Sequence, residues 1–200
     1  MKSNIFLRYV LIALLIIVFV VSVFYFGLIF GAPIKVKTNE YDADLYIDGA
    51  MITKYKGDDK DIVIPDHIWW RPVFAIGEDC FSGNHGIETV VISNNVKYIK
   101  RYAFTGCDNL KSIEGGNIVS VERFAFAYDY QLKKVELGDK LFFIGERAFA
   151  RCTSLNYIPS KNSIREIGRQ AFAESGVTDP GDLSGVEMAD DAFASEMLSE

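Results

Sequence analysis

The sequence predicts a mainly β repeat solenoid preceded by one transmembrane helix. Three observations carry this reading. An unbroken apolar run lies near the N-terminus. A seven-residue segment recurs six times at a nearly constant interval. After residue 33 no amphipathic run is long enough to make a helical bundle.

The apolar run is VLIALLIIVFVVSVFYFGLIF, residues 10–30, with Ser22 and Gly27 as its only weak members. At ~1.5 Å per residue a helix of this length reaches about 31 Å, which matches the ~30 Å hydrocarbon core of a bilayer. A cleaved secretory signal is the rival reading, because Lys2 and Arg8 precede the run. Signal peptides have a shorter apolar part, about 7–15 residues, and end in small residues suited to cleavage. Here the run is longer and leaves through the bulky IFGAP, which favours an uncleaved anchor. Lys35 and Lys37 follow the run, so the count of flanking positive charges is nearly a tie. The preceding tail, residues 1–9, is short, and the folded part lies wholly after the run. The expected topology is therefore a single-pass protein of the cell membrane with its domain outside. No cysteine near the start invites lipidation.

The repeated segments are AIGEDCF (75–81), YIKRYAF (98–104), SVERFAF (120–126), FIGERAF (143–149), EIGRQAF (166–172) and EMADDAF (187–193). Each ends in Phe, with Ile, Val or Met five residues earlier and Ala, or Cys80 in the first, just before the Phe. The intervals are 23, 22, 23, 23 and 21 residues. Six residues after the first four Phe come Ile87, Leu110, Leu132 and Leu155, and nine after come Val90, Ile113, Val135 and Ile158. This is the pattern of a strand, a turn, a second short extended piece and a tight turn carrying the Phe. A unit this small cannot bury its own apolar side, whereas stacked neighbours can. The spacing is that of leucine-rich repeats, in a stack of about five to six rungs of 21–23 residues.

The motif I-G-x-x-A-F-x-x-C-x-x-L, present as IGERAFARCTSL (144–155), resembles the BspA-like leucine-rich repeats of bacterial surface proteins. ITKYKGDDKDIVIP (52–65) resembles the way such arrays begin, so the resemblance covers about residues 52–193. It implies a solenoid used for cell-surface adhesion or protein binding, and it carries over no catalytic residues. The expected layout is a linker at 31–40, an N-terminal hairpin cap at 41–61 turning at Asp48-Gly49, the repeat domain at 62–193 and a tail at 194–200.

Composition narrows the partners. Lys2 and Arg8 are the only two of the 21 basic residues in residues 1–32, which leaves 19 against 27 acidic residues and a net charge of −8 on the rest. Nucleic acid and anionic headgroups call for clustered cations, so neither is an expected partner of the domain. The three cysteines form an odd set. Cys107 and Cys152 fall two rungs, roughly 10 Å, apart, beyond the ~7 Å reach of a disulfide, so all are read as buried thiols. His67 and His85 stand alone in irregular segments, and Asp58, Asp59 and Asp61 lack the Gly and distant Glu of a calcium loop. No hydrolase, zinc or phosphate-binding motif is present. The chain reads as a non-enzyme without cofactor.

Two surfaces are candidates for a protein or cell-surface ligand. One is the outward row of the strand ladder, with Thr89, Ser112, Glu114, Lys134, Glu136 and Tyr157, to which Val91 and Pro159 also belong. The other is Trp69–Trp70, in a five-residue insertion in DHIWWRPVF. The tryptophans either cover the open first rung or form an exposed aromatic contact. A scaffold subunit held in a membrane complex by residues 10–30 is the alternative function.

Overall fold

The computed structural model describes residues 12–22 and 32–195. Residues 12–22 form one short helix; the rest of the segment read as a span lies outside the described residues, as do the tail at 1–9 and residues 196–200. Among the described residues no helix is long and apolar enough to cross a membrane.

The remainder is a mainly β solenoid of about six turns, built on two parallel sheets. Sheet A begins with three strands, β1 (Ile34–Lys37), β2 (Tyr41–Leu45) and β3 (Ala50–Tyr55), paired antiparallel in that order. The segment read as a linker therefore contains a strand. From β3 onward sheet A is parallel, adding β6 (Arg71–Ile76), β8 (Tyr98–Ile99), β10 (Ser120–Val121), β12 (Phe143–Ile144), β13 (Glu166–Ile167) and β14 (Glu187–Met188). Sheet B stacks β4 (Asp61–Val63), β7 (Thr89–Ile92), β9 (Ser112–Gly115) and β11 (Lys134–Glu136), also parallel. One further strand, β5 (His67–Ile68), pairs antiparallel with the start of β6. Each rung thus runs through sheet B, turns, runs through sheet A, and returns through the Phe turn. Sheet B ends at β11, two rungs before sheet A does.

The register places like on like. Ile76, Ile99, Val121, Ile144, Ile167 and Met188 stand in one column of sheet A, and Ile62, Val90, Ile113 and Val135 in one column of sheet B. Except for Met188 on the last rung, all are buried. Between the sheets the Phe rings stack nearly parallel. Centroids from Phe81 through Phe104, Phe126, Phe149 and Phe172 to Phe193 are 4.8–5.3 Å apart, with planes within 10°. The cap extends this spine with tilted rings: Tyr55 meets Phe81 at 5.3 Å and 31°, and Tyr41 meets Tyr55 at 5.4 Å and 46°.

The Phe turns depend on an unusual backbone. Asp79, Tyr102, Phe124, Arg147 and Gln170, each two residues before a spine Phe, all have φ between 52° and 58°. An L-residue pays about 1–2 kcal/mol to adopt this left-handed conformation. The return is a third ladder along the stack: Phe81, Phe104, Phe126 and Phe149 each donate N–H to the carbonyl before the next Phe, at 2.8 Å. Two residues after the Phe the backbone turns left-handed again, at Gly83 and Gly106 and then at Tyr128, Arg151 and Glu174. The arginines near these turns lie over aromatic rings, Arg123 over Phe124 at 5.1 Å and Arg151 over Tyr128 at 5.4 Å.

Three residues after Phe104, Phe126 and Phe149 comes an inward position. Cys107 and Cys152 occupy it two rungs apart, and the rung between them holds Asp129. The three cysteines are buried and unpaired. Burial pushes all three thiols up, which leaves them unreactive near neutral pH. Cys107 Sγ donates to Phe81 O at 3.2 Å and Cys152 Sγ to Phe126 O at 3.0 Å. Asp129 is fully buried. Its Oδ1 accepts the Cys107 N–H at 2.7 Å, while Oδ2 has no partner among the described residues. Burial raises its carboxyl well above the usual range, because the charged form loses its water.

Two outcomes follow from this packing. Phe126→Ala removes a ring stacked on both sides, and such a change costs ~3–5 kcal/mol. The loss spreads through neighbouring rungs, because each is stabilised only by the next. Thermal unfolding by circular dichroism checks this; melting within a degree or two of the parent would place Phe126 outside the core. Asp129 adds a pH dependence. In the folded chain its pKa is raised, so its stabilising effect is complete below the ordinary Asp value of about 4 and is lost as pH rises towards the higher value. Asp129→Asn keeps the Oδ1 acceptor and removes the titration. The melting temperature of the parent is expected to fall, relative to the variant, as pH rises from 4 (about the ordinary Asp value) through neutrality. Parallel pH profiles would refute a buried neutral Asp129.

Candidate functional site

The outer face of sheet B presents two rows of side chains, because successive residues of a strand point to opposite faces. One row is Asp61, Thr89, Ser112 and Lys134; the other is Val63, Val91, Glu114 and Glu136. The structure brings six of the expected residues, Thr89, Val91, Ser112, Glu114, Lys134 and Glu136, onto this surface. It adds two from the first rung, Asp61 and Val63. The alternation in DIVIP, 61–65, is the signal for them.

The two rows differ in chemistry along the stack. Val63 and Val91 are 68% and 48% exposed and adjacent in register, a small apolar patch on the early rungs. Farther along the face is charged. Lys134 Nζ lies 3.0 Å from Glu114 and 3.5 Å from Glu136. Thr89 Oγ1 donates to Asp61 Oδ1 at 2.6 Å. Just before the strands, Glu88 accepts from Lys60 at 2.9 Å and Lys111 at 2.5 Å. Those bonds, Lys111 first, draw its carboxyl down to about 2. A shallow groove of about 510 Å³ lies at the end of the sheet, lined by Lys111, Gln131, Lys133, Lys134, Asn156 and Tyr157.

Tyr157 has a different part from the rest. It occupies the place of a fifth strand, and its hydroxyl serves the backbone that such a strand would serve. It accepts the Val135 N–H at 2.7 Å and donates to Val135 O at 3.2 Å. The ring is 38% exposed, and Pro159, read as outward, is buried. Tyr157 is a cap on the edge of sheet B as well as a wall of the groove.

Trp69 and Trp70 lie apart from this face. They form the turn between β5 and β6, Trp69 with φ 56°, their rings stacked at 5.5 Å. They do not cover the first rung: Ile68 is buried there, and the indoles are 57% and 61% exposed. No group of His, Cys, Asp and Glu among the described residues is arranged to hold a metal ion.

Comparison with known proteins agrees with this geometry. Residues 74–198 match the model of the BspA type leucine rich repeat region, in six copies. A leucine-rich-repeat protein of T. pallidum has the same fold, with a TM-score of 0.65 at 24% identity over 78% of this chain and 82% of that one. A leucine rich cell surface protein of Faecalibacterium prausnitzii matches with a TM-score of 0.61 at 22% identity, over 81% of this chain and 52% of that one. A leucine-rich repeat protein of Bacteroides ovatus gives 0.56 at 18% identity, and this chain again spans about half of its length. No curated protein matches by sequence. More than half of the chain, with its six Phe turns in register, fits one family model: the protein belongs to the BspA-type leucine-rich-repeat family.

Proposed function

We propose that the chain is a membrane-anchored surface protein that binds a protein or other cell-surface ligand through the outer face of sheet B. The observation that carries this reading is the pair of outward rows, from the apolar Val63 and Val91 to the charged Glu114, Lys134 and Glu136, leading into the groove at Tyr157. Such a face offers an apolar patch at one end beside directional charge at the other, and protein interfaces use both kinds of surface. The Faecalibacterium relative, described as a cell surface protein, supports the location. The anchor rests on the apolar run at 10–30 and on the helix at 12–22, whose side chains from Leu14 to Val21 are all close to half exposed or more. A helix apolar on every side belongs in lipid or in a protein core. In the proposed topology the solenoid lies on the outer side of the membrane.

Surface display is checked by protease treatment of intact cells. Loss of residues 33–200 alongside known surface proteins is expected; survival of the domain would reverse the topology. The binding face is checked with the charge-reversed pair Glu114→Lys and Glu136→Lys. Exposed ion pairs are worth ~0–1 kcal/mol, so the melting temperature changes little. A partner crosslinked to the parent on the cell surface is expected to be lost from the variant. Tyr157 is unsuited to this test, because removing its hydroxyl strips the Val135 backbone of its partner. Equal capture by both proteins, together with loss in a Trp69→Ser, Trp70→Ser variant, would move the site to the tryptophan turn.

A further inference from the structure

Three pieces of chain converge on one corner of the solenoid. Strand β1 begins at Ile34, which pairs with Leu45 at the end of β2. The turn that follows Leu45, residues 46–49, carries Ile47, which is 61% exposed. That turn leads into Ala50, which pairs with Val73 near the start of β6. Immediately before it stands the Trp69–Trp70 turn. The two turns are tied together: Arg71 Nη1 donates to Ile47 O. An aromatic row supports them, Tyr46 against Phe74 at 5.7 Å and Phe74 against Tyr98 at 6.4 Å. Three strand spacings of ~4.8 Å put the start of β1 about 14 Å from the start of β6. The corner therefore exposes Ile47, Trp69 and Trp70 on one edge, with Arg71 beside them.

This is also the edge at which the chain arrives from the apolar run. Phe30 ends that run and Ile34 begins β1, so only Gly31, Ala32 and Pro33 lie between them, four residue steps in all. At ~3.3–3.6 Å per extended residue they span at most about 14 Å. With residues 10–30 in the membrane, Ile34 cannot leave the neighbourhood of the lipid surface, and the corner stays with it. Tryptophan favours the headgroup layer, where its ring meets apolar chains and its N–H meets water, and Arg and Lys anchor at the same depth. Lys35 and Arg71 supply such cations. The exposed Asp48 and Asp66 flank the corner and limit its depth to the headgroups. They also favour zwitterionic lipid over anionic lipid.

We propose that the Ile47 and Trp69–Trp70 turns rest in the headgroup layer of the anchoring membrane, as a second contact that fixes the tilt of the solenoid. This rests on the anchored reading above and goes beyond it. A single tether leaves the domain free to swivel; a tether and a contact about 14 Å away hold it in one attitude.

The chain has only two tryptophans, both in this corner, so its intrinsic fluorescence reports on the corner alone. The full-length protein is reconstituted into phosphatidylcholine vesicles and into vesicles of the same lipid brominated on the acyl chains, and flotation establishes that it is bound. The expected result is loss of most of the tryptophan emission in brominated vesicles, a shift to shorter wavelength in the unbrominated ones, and protection from acrylamide. Trp70→Phe, which leaves Trp69 as the reporter, is expected to behave alike. If the protein floats but its emission resists bromine and yields freely to acrylamide, the corner faces water and the proposal fails while the anchor stands. If the protein does not float, the anchored reading fails, and the proposal with it.

Discussion

Everything in this protein depends on one ring per rung. Each Phe turn delivers an aromatic side chain into the space between the two sheets, where it meets the ring before and the ring after at about 5 Å. Offset or parallel contacts of this kind add ~0.5–1.5 kcal/mol per pair beyond the area they bury. The left-handed residues that shape the turns cost a comparable amount. The turns persist because the ring they place and the N–H ladder they form are gained together. Neither sheet closes a core alone: sheet A's strands are mostly two residues long, and sheet B has four strands. The spine is what makes two thin sheets into one interior.

The same logic explains the cap. A stack of identical rungs ends in a bare edge that invites further pairing. Tyr55 and Tyr41 carry the aromatic column into the first three strands, and the antiparallel strands β1 and β2 break the parallel repeat. At the sheet B edge the device is smaller: the Tyr157 hydroxyl satisfies both backbone groups of Val135. The buried Asp129 sits in the column between Cys107 and Cys152, where a carboxyl takes the place of a thiol.

The repeat was legible because Phe, Ile and Leu recur at fixed offsets, and fixed offsets in a parallel stack become columns. The strand-face residues Thr89 to Glu136 followed from alternation alone. What escaped the sequence has physical causes. Tyr41 and Tyr55 belong to the spine but fall off its period, because the cap strands are antiparallel and use different spacings. The strand at 34–37 is too short to separate from a linker. No composition marks Tyr102, Phe124 or Arg147 as left-handed, since stacking and not local preference holds them there. Tyr157 is outward as alternation requires, but its hydroxyl bond to the previous rung depends on the absence of a fifth strand, which the pattern at 155–158 does not reveal.

The constant interval between rungs has a consequence for how the chain assembles. The ion pairs and turn hydrogen bonds that join neighbours, such as Lys100 to Glu122 or Arg151 to Glu174, link residues 22 and 23 apart in sequence. Closing a loop of that length costs about 3 kcal/mol of chain entropy, and the charge is the same for every rung. No part of the solenoid waits for a distant segment to be synthesised. Each rung needs only its neighbours to dock, so folding can start at any rung and spread along the stack from there.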